Sequence, residues 1–320
     1  MIFPTRRRAD RAIQPVRSVI RAPPPAGSAM LVTMPLTGLH LLVTLQCNRE
    51  CDHCFVWGGP WQKGAMTLEA IRTYLGQARD ASGIAEIWFE GGEPFLYHPL
   101  LVESAKAAAA LGFRVGVVSN AYWATTDEDA VAWLKPLAGT VANLLVSCDP
   151  MHWSVEAARR AEIATTAAKA LGIGLGVMAI PDAKTGPIPG VMHRGRAAVK
   201  LSGRTEGAPW ETFTKCSFEN LRDPARMHLD PAGNLHVCQG IVIGNLHATP
   251  LAEIIRAWNP EAHPVLGPLL ANGPAELARR LNPPSRDRFA DACHLCYETR
   301  LALRDRFPDT LGPDAMYGAG

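Results

Sequence analysis

The chain has 320 residues, of which 48% are hydrophobic and 19% are charged. This composition can bury a large core and excludes a disordered or fibrous protein. The net charge of +2 gives no general reason to expect nucleic acid or an anionic membrane as a partner.

Residues 1–36 are predicted to form a flexible, basic and proline-rich leader. The first 34 residues contain six arginines against one aspartate, together with five prolines. They lack the continuous apolar segment and the cleavage site of a secretory signal. No later stretch approaches the ~18 apolar residues that span a bilayer. We therefore expect a cytoplasmic protein with no membrane or nucleic-acid partner.

From residue 37 onward, short apolar runs alternate with helical patterns, as in repeated β/α units with a parallel sheet. The predicted strands are Leu39–Leu45, Ala85–Phe89, Phe113–Val118, Leu144–Ser147, Ile173–Ile180 and a short sixth at Val191–Arg194. The predicted helices are Thr67–Arg79, His98–Leu111, one that begins at a capping box of Thr125 and Glu128, and Val155–Leu171. These units predict an α/β fold with a partial (β/α)6 TIM-like barrel.

The pattern changes after about residue 205. Two alternating runs, Ala225–Leu229 and Asn234–Val237, flank the turn sequence of residues 230–233 and predict a β-hairpin. Since a hairpin should not extend a parallel barrel, we expect residues 37–204 to form the core domain. Residues 205–320 are then predicted to form a small hairpin-plus-helix module with a C-terminal tail.

Three cysteines follow the first predicted strand, at the carboxyl edge where barrel active sites lie. Cys47, Cys51 and Cys54 have C-x3-C-x2-C spacing. Thiolates suit iron-sulfur clusters, and a cubane cluster normally takes four protein ligands, so three would leave one iron open. Structural zinc is the alternative, although zinc sites favour paired C-x2-C knuckles with a second pair close by.

The cysteine loop resembles the signature of radical S-adenosylmethionine (SAM) enzymes, in which an aromatic residue usually precedes the last cysteine. Here His53 holds that position and is expected to contribute to cofactor binding. The resemblance covers about residues 37–200. It implies that SAM chelates the open iron of a 4Fe-4S cluster, and that one electron from a flavodoxin- or ferredoxin-type donor cleaves SAM to a 5'-deoxyadenosyl radical. That radical would take a hydrogen atom from the substrate.

The end of the second strand supports this resemblance. Gly91, Gly92, Glu93 and Pro94 resemble the glycine-rich motif that receives the methionyl amine of SAM. Two glycines allow a close backbone approach, the carboxylate balances an ammonium group, and the proline fixes the turn. G-G-E-P alone is an ordinary turn. Its position one β/α unit after the cysteine loop makes it informative.

Later strand ends resemble the positions at which the family contacts the ribose and carboxylate of SAM. Ser119 and Asn120 follow the third strand, and Ser147 and Asp149 lie at the end of the fourth. Their hydroxyl, amide and carboxylate groups could bond the ribose, but each could equally cap a helix. The family's G-x-I-x-G-x-x-E pattern is missing after the fifth strand, which leaves adenine contacts from that region in doubt.

Four more cysteines are expected to form one metal site: Cys216, Cys238, Cys293 and Cys296. Four thiolates close a cubane cluster completely. The arrangement resembles the twitch module, a shortened SPASM extension in which a hairpin and a later C-x2-C bind an auxiliary 4Fe-4S cluster. Residues 195–197, Gly-Arg-Ala, resemble a tripeptide at the junction with that extension. An all-thiolate zinc site remains open.

The auxiliary site resembles that of twitch-bearing alcohol dehydrogenases of aminocyclitol biosynthesis, which implies a dehydrogenase-like oxidation of a small molecule. A peptide maturase and an epimerase, in which Cys148 would return a hydrogen atom, stay open. So does a non-catalytic zinc or iron-sulfur binding protein. Asp149 and His152 are candidate catalytic bases, with His193 a further one. Five aromatic residues in strand-end loops could line the pocket or pack in the core: Trp57, Trp61, Tyr97, Tyr122 and Trp123.

Overall fold

The first half of the chain alternates strands and helices. A computed structural model describes residues 35–153, 156–180, 188 and 190–319, so most of the predicted leader lies outside the described residues. The strands are β1 Gly38–Thr44, β2 Glu86–Gly91, β3 Arg114–Ser119, β4 Val141–Ser147 and β5 Gly174–Met178. The helices are α1 Leu68–Asp80, α2 His98–Ala110, α3 Asp127–Leu134, α4 Pro150–Trp153 and α5 Ala157–Ala170. The predicted β/α alternation is confirmed.

Helix α3 begins one residue later than its predicted capping box requires. The side chain of Thr126, not Thr125, accepts a hydrogen bond from the backbone N–H of Asp129. Thr125 instead donates to the Asp129 carboxylate. The prediction was therefore wrong in its cap residue, because two adjacent threonines compete for the same helix start.

The strands of the second half are short, with two to five residues each. Its strands are β6 Ala208–Pro209, β7 Arg226–Leu229, β8 Asn234–Cys238, β9 Ile241–Asn245 and β10 Arg288–Phe289, and its helices are α6 Arg196–Lys200, α7 Leu251–Arg256, α8 Leu266–Leu281 and α9 Ala292–Ala302. The predicted sixth strand at residues 191–194 is wrong. His193 there donates its backbone N–H to the carboxylate of Asp291, so this segment is held by a side chain rather than by a strand ladder.

Eight strands form one open sheet in the order β5-β4-β3-β2-β1-β7-β8-β9. Strand β7 pairs in parallel with β1, with His40 opposite His228, and antiparallel with β8. The expectation that the hairpin would not extend the sheet was therefore wrong, because its first strand docks on the free edge of β1. The result is an α/β fold with a mostly parallel, unclosed sheet, as the partial-barrel prediction requires.

Residues Thr33–Gly320 form one compact unit, and the predicted division near residue 205 stays a prediction. Strand alternation separates two faces of the sheet. One face carries fully buried side chains that join the main hydrophobic core: Leu39, Leu41, Ile87, Phe89, Met227 and Leu229. The opposite face carries His40, Glu90 and His228, and we call it the inner face.

Within the described part of the chain, no helix is both long enough and apolar enough to cross a membrane. The cytoplasmic location stays a prediction.

Candidate active site and auxiliary cysteine site

The cysteine loop leaves β1 and is held closed at its base. The backbone N–H of Cys47 donates to the carbonyl oxygen of Gly59 at 3.1 Å. Backbone N–H groups also point at the sulfur atoms: that of Arg49 lies 3.4 Å from the Cys47 Sγ, and that of Gly58 lies 3.2 Å from the Cys54 Sγ. Such donors stabilise thiolates, so the loop suits sulfur atoms that bind a metal centre.

Burial opposes ionisation of these thiols when no metal is bound. Burial raises the pKa of Cys47 to about 12. Burial also raises the pKa of Cys51, and the nearby Cys54 raises it further. A bound cluster supplies the positive charge that keeps such thiols deprotonated. The buried site therefore fits an iron-sulfur cluster chemically.

Arg196 braces the cysteine loop from a distant part of the sequence. Its guanidinium donates to the carbonyl oxygens of Cys51, at 2.8 Å, and Gly58, at 2.6 Å. Its backbone N–H donates to the carbonyl oxygen of Cys54 at 2.9 Å. At the neighbouring Gly195, φ is +58° and a Cβ would lie 2.6 Å from the Cys54 carbonyl oxygen. The Gly-Arg-Ala tripeptide thus supports the predicted cluster site, a role that its sequence did not reveal.

The two glycines after β2 lie against the end of β1. A Cβ on Gly91 would lie 2.2 Å from the Thr44 carbonyl oxygen, and one on Gly92 would lie 2.1 Å from the Gln46 carbonyl oxygen. The backbone N–H of Gly92 donates to Thr44 at 2.7 Å. Close backbone packing between the two strand ends therefore accounts for both glycines, whereas the sequence suggested an approach to a ligand. Their contact with SAM stays a prediction.

Glu93 joins the ends of β2 and β3. One carboxylate oxygen accepts from the Ser119 hydroxyl at 2.9 Å, and the other accepts from the Asn120 backbone N–H at 2.7 Å. The first oxygen also caps the turn that begins at Pro94, by accepting from the Phe95 N–H at 3.1 Å. Burial raises the pKa of Glu93 to about 7, and these hydrogen bonds oppose the rise. The predicted SAM-binding residues therefore contact one another directly.

Asn120 also reaches the cysteine loop. Its side-chain amide donates to Asn48 at 2.8 Å and lies 3.6 Å from the Cys47 Sγ. The ends of β1, β2 and β3 are thus tied together around the first cysteine. Ser147, at the end of β4, is also buried; its predicted ribose contact stays a prediction.

His53, Asp149 and His152 form a second polar group beside this loop. His152 Nδ1 lies 2.8 Å from the Asp149 carboxylate, and His53 Nε2 lies 3.8 Å from the same oxygen. Burial raises the pKa of Asp149, but the hydrogen bond from His152 outweighs it and the net pKa is lowered. Burial lowers the pKa of His53 to about 4. The predicted base Asp149 is thus an ionised carboxylate next to the cluster loop.

The other candidates lie in different surroundings. His193 Nδ1 bonds the carboxylate of Asp291, the N-cap of α9, at 2.9 Å. Cys148 is half-buried and packs against the main core. Trp57 donates to the Tyr297 hydroxyl at 2.9 Å, and Trp123 is buried and donates to Ser119 at 3.0 Å. Trp123 therefore packs in the core, whereas Trp57 is half-buried and joins the cysteine loop to α9.

The four distal cysteines line one cavity together with two buried arginines. The arginine at position 194 donates to the Cys238 Sγ at 3.3 Å and to Glu219 at 3.1 Å. Arg300 donates from its guanidinium to the carbonyl oxygen of Gln239 at 2.7 Å. Two cations beside four thiols offset the negative charge that a tetrathiolate metal centre carries. The residues fit such a centre.

Four thiolates commonly bind either a zinc ion or an iron-sulfur cluster, and the two require different distances between the sulfur atoms. A tetrahedral zinc ion with bonds of about 2.3 Å needs sulfur atoms about 3.8 Å apart. Among the described residues, the groups of three or more possible ligands whose donor atoms all lie within 4.8 Å are His40–Glu90–His228 and His53–Asp149–His152. Neither contains a cysteine. The thiols are therefore spread more widely than one zinc ion requires, as a multi-iron cluster would allow.

The first of those groups, which lies on the inner face, was not predicted from the sequence. Glu90 Oε1 is 3.2 Å from His40 Nδ1 and 3.0 Å from His228 Nε2. Its three members come from β1, β2 and β7. The only local signal was a histidine between apolar residues on a buried strand, in Leu39-His40-Leu41 and Met227-His228-Leu229.

Comparison with known proteins identifies the family of the first half. Residues 41–162 match the family model of the radical SAM superfamily, from within β1 into α5. The chain contains a radical SAM domain. Enzymes of this superfamily use a 4Fe-4S cluster and SAM, with an electron donor and a substrate. The radical SAM domain includes the cysteine loop and the Gly91–Pro94 strand end.

Individual relatives are distant. YydG of Bacillus subtilis (strain 168), named for peptide biosynthesis, is 27% identical over 108 residues, 33% of this chain and about a third (34%) of its own length. BtrN in complex with AdoMet and 2-DOIA aligns at 16% identity over 69% of this chain and 82% of its own, with a TM-score of 0.46. Streptococcus suis SuiB bound to S-adenosylmethionine aligns at 13% identity over 75% of this chain and 71% of the SuiB chain, with a TM-score of 0.42. TM-scores below 0.5 do not establish a closer relationship.

Proposed function

We propose that the protein reductively cleaves SAM and abstracts a hydrogen atom from a small-molecule substrate, which it oxidises by two electrons. The cluster and SAM supply the 5'-deoxyadenosyl radical when bound. Cys47, Cys51 and Cys54 hold the cluster, and a flavodoxin- or ferredoxin-type protein supplies the electron. The observation that carries the proposal is the convergence of the three-cysteine loop with the Gly91–Pro94 strand end.

A second 4Fe-4S cluster at Cys216, Cys238, Cys293 and Cys296 completes the proposal. The shared cavity, the two buried arginines and the wide thiol spacing support it. The two sites are also close neighbours. Phe55 follows Cys54, and its ring lies 5.5 Å from the guanidinium of Arg194, which bonds the Cys238 sulfur. An electron acceptor in this position favours net oxidation over a redox-neutral reaction.

Asp149 is the base that we propose for the proton lost in the oxidation. Its carboxylate lies 3.8 Å from the ring of His53, which stands between Cys51 and Cys54 in the cysteine loop. His152 donates to Asp149 and keeps it ionised, so the carboxylate can accept a proton from the substrate.

Peptide modification is the second candidate, because YydG, which is 27% identical over 108 residues, is named for peptide biosynthesis. A maturase would use the same two metal sites on a peptide side chain or Cα carbon. An epimerase would need a thiol that returns a hydrogen atom, and Cys148, one residue before Asp149, is the candidate.

Iron content tests the two-cluster proposal. Anaerobic reconstitution should give a brown protein with about eight irons per chain, and Cys216→Ala should lose about four of them. Cys148→Ala is the matched control, since its thiol belongs to neither site and should leave iron unchanged. A colourless zinc-loaded protein would support the non-catalytic alternative. An unchanged iron content in Cys216→Ala would contradict the proposal of a second cluster.

A further inference from the structure

The inner face carries a group of side chains that the radical chemistry does not use. His40 and His228 lie opposite each other on β1 and β7, and Glu90 projects between them from β2. Glu90 Oε1 lies 3.2 Å and 3.0 Å from their facing nitrogens, and all three donor atoms fall within 4.8 Å of one another. We propose that these three residues bind a divalent first-row metal ion, Zn²⁺ or Fe²⁺.

The donor spacing suits such an ion. Metal bonds of about 2.1 Å to nitrogen and oxygen place neighbouring donors about 3.0 to 3.4 Å apart in octahedral or tetrahedral geometry. The two measured separations lie in this range. Two imidazoles and one carboxylate are also a ligand set that first-row divalent ions favour. The site therefore needs little rearrangement to coordinate a metal.

The charge of the group also favours a cation. Burial raises the pKa of Glu90, but hydrogen bonds from His228 and His40 outweigh this and lower it, so the carboxylate is ionised. In the described structure, its ion-pair partners are these two histidines, and no lysine or arginine contacts it. Buried carboxylates are usually paired with a cation or coordinate a metal. Burial lowers the pKa of His228, so this imidazole is neutral and can act as a ligand.

A neighbouring amide provides an independent observation. Gln239 is 5% exposed, and among the described residues its buried Oε1 has no hydrogen-bond partner, while its Nε2 lies 3.4 Å from the His228 Nδ1 and 3.5 Å from the His228 Nε2. Exchanging the amide oxygen and nitrogen would let Oε1 accept from the Nδ1–H. When a metal replaces the proton between His228 Nε2 and Glu90, the imidazole proton would move to Nδ1, and this bond would satisfy the buried amide oxygen, as the outer partners of metal-bound histidines commonly do.

The rings are held in place, and the site is not sealed. Trp88 stacks on His40 with ring centroids 5.8 Å apart and planes 19° from parallel. The side chains of His40 and Glu90 remain 14% and 12% exposed. Three protein ligands leave at least one coordination position open, so an oxygen or nitrogen donor of a small ligand could complete the sphere.

Metal content and X-ray absorption test the proposal. Protein with reconstituted clusters is incubated with Zn²⁺, desalted and analysed for zinc and iron. We expect one zinc per chain whose absorption spectrum shows nitrogen and oxygen neighbours and no sulfur at about 2.3 Å. Glu90→Gln and His40→Ala should bind zinc at least ~10-fold more weakly. His247→Ala, which removes an exposed histidine bonded to Tyr74, should retain it.

Loss of zinc binding can be distinguished from misfolding of a variant and from loss of the iron-sulfur clusters. Visible absorption of the clusters and the thermal unfolding midpoint show whether each variant is folded. If a variant is not folded, the X-ray absorption spectrum of zinc bound to the unmodified protein tests the proposed ligands by itself. No bound zinc, zinc with sulfur neighbours, or zinc retained fully in both folded variants would overturn the proposal. Because iron is measured separately, failure of the iron-sulfur sites would be visible in the same samples.

Discussion

The guanidinium of Arg196 donates to the carbonyl oxygen of Cys51 at 2.8 Å, and so fixes the cysteine loop from a residue 145 positions later in the chain. The arginine is 3% exposed. Buried hydrogen bonds to a charged group contribute about 1.5–3 kcal/mol each, and truncation also leaves carbonyl oxygens without partners. The arginine is therefore expected to set the stability of the predicted cluster site.

Arg196→Ala should lower the free energy of unfolding by about 3 kcal/mol or more, because two charge-assisted bonds are lost. Arg196→Lys should be nearly as damaging, since an ammonium group cannot serve both carbonyls in the same geometry. Iron bound after reconstitution should also fall. Arg79→Ala, at an exposed position on α1, is the control and should change neither quantity. Full iron and stability in Arg196→Ala would refute the bracing role.

The close packing of β1 against β2 predicts a contrast between two glycines. Gly92→Ala should lower the free energy of unfolding by more than about 2 kcal/mol, because its Cβ would lie 2.1 Å from the Gln46 carbonyl oxygen. Gly76→Ala, within α1 and with no atom within 4 Å of its Cβ, should raise it by about 1 kcal/mol. Urea unfolding measures both. Equal effects would mean that Gly92 is not packed as described.

The hairpin turn that leads to Cys238 depends on one carboxylate. Asp230 is fully buried and accepts from the backbone N–H groups of Ala232 and Asn234 and from His236. Burial raises its pKa, but these bonds outweigh burial, so the net pKa lies below 3.8. Asp230→Asn should cost about 2–3 kcal/mol at neutral pH, since an amide cannot accept from all of these donors.

The pH dependence of that cost has a defined sign. A carboxylate whose pKa is lowered by folding stabilises the protein above its unfolded pKa and loses this contribution as the pH falls through its folded pKa. The difference between the unmodified protein and Asp230→Asn should therefore persist at pH 5 and shrink below about 3.8. Thermal unfolding at pH 7, 5 and 3 measures it, with exposed Asp80→Asn as control. A difference that grows towards low pH would contradict this.

Short sequence patterns predicted those parts of the site that are formed by residues close together in the sequence. The cysteine loop follows β1, the Gly91–Pro94 turn follows β2, and both meet at the carboxyl edge, because parallel strands bring their ends together. The sequence could place these segments without knowing their contacts.

Contacts between distant segments could not be predicted in this way. The docking of β7 on β1 and the bonds of Arg196 to the cysteine loop join residues more than 100 positions apart. The histidines of the inner face lie 188 positions apart and look like ordinary strand residues until β7 is placed. The hydrogen bond between Glu93 and Ser119 was also not predicted, and their contact with SAM stays a prediction.

Reductive cleavage of SAM is the direct test of the proposed radical chemistry. Reconstituted protein with dithionite should convert SAM to methionine and 5'-deoxyadenosine, measured by mass spectrometry. Cys51→Ser should reduce the yield to that of the assay without protein, whereas Cys216→Ala should still cleave SAM slowly. Absence of 5'-deoxyadenosine from the fully iron-loaded protein, or an equal yield from Cys51→Ser, would contradict the proposed chemistry.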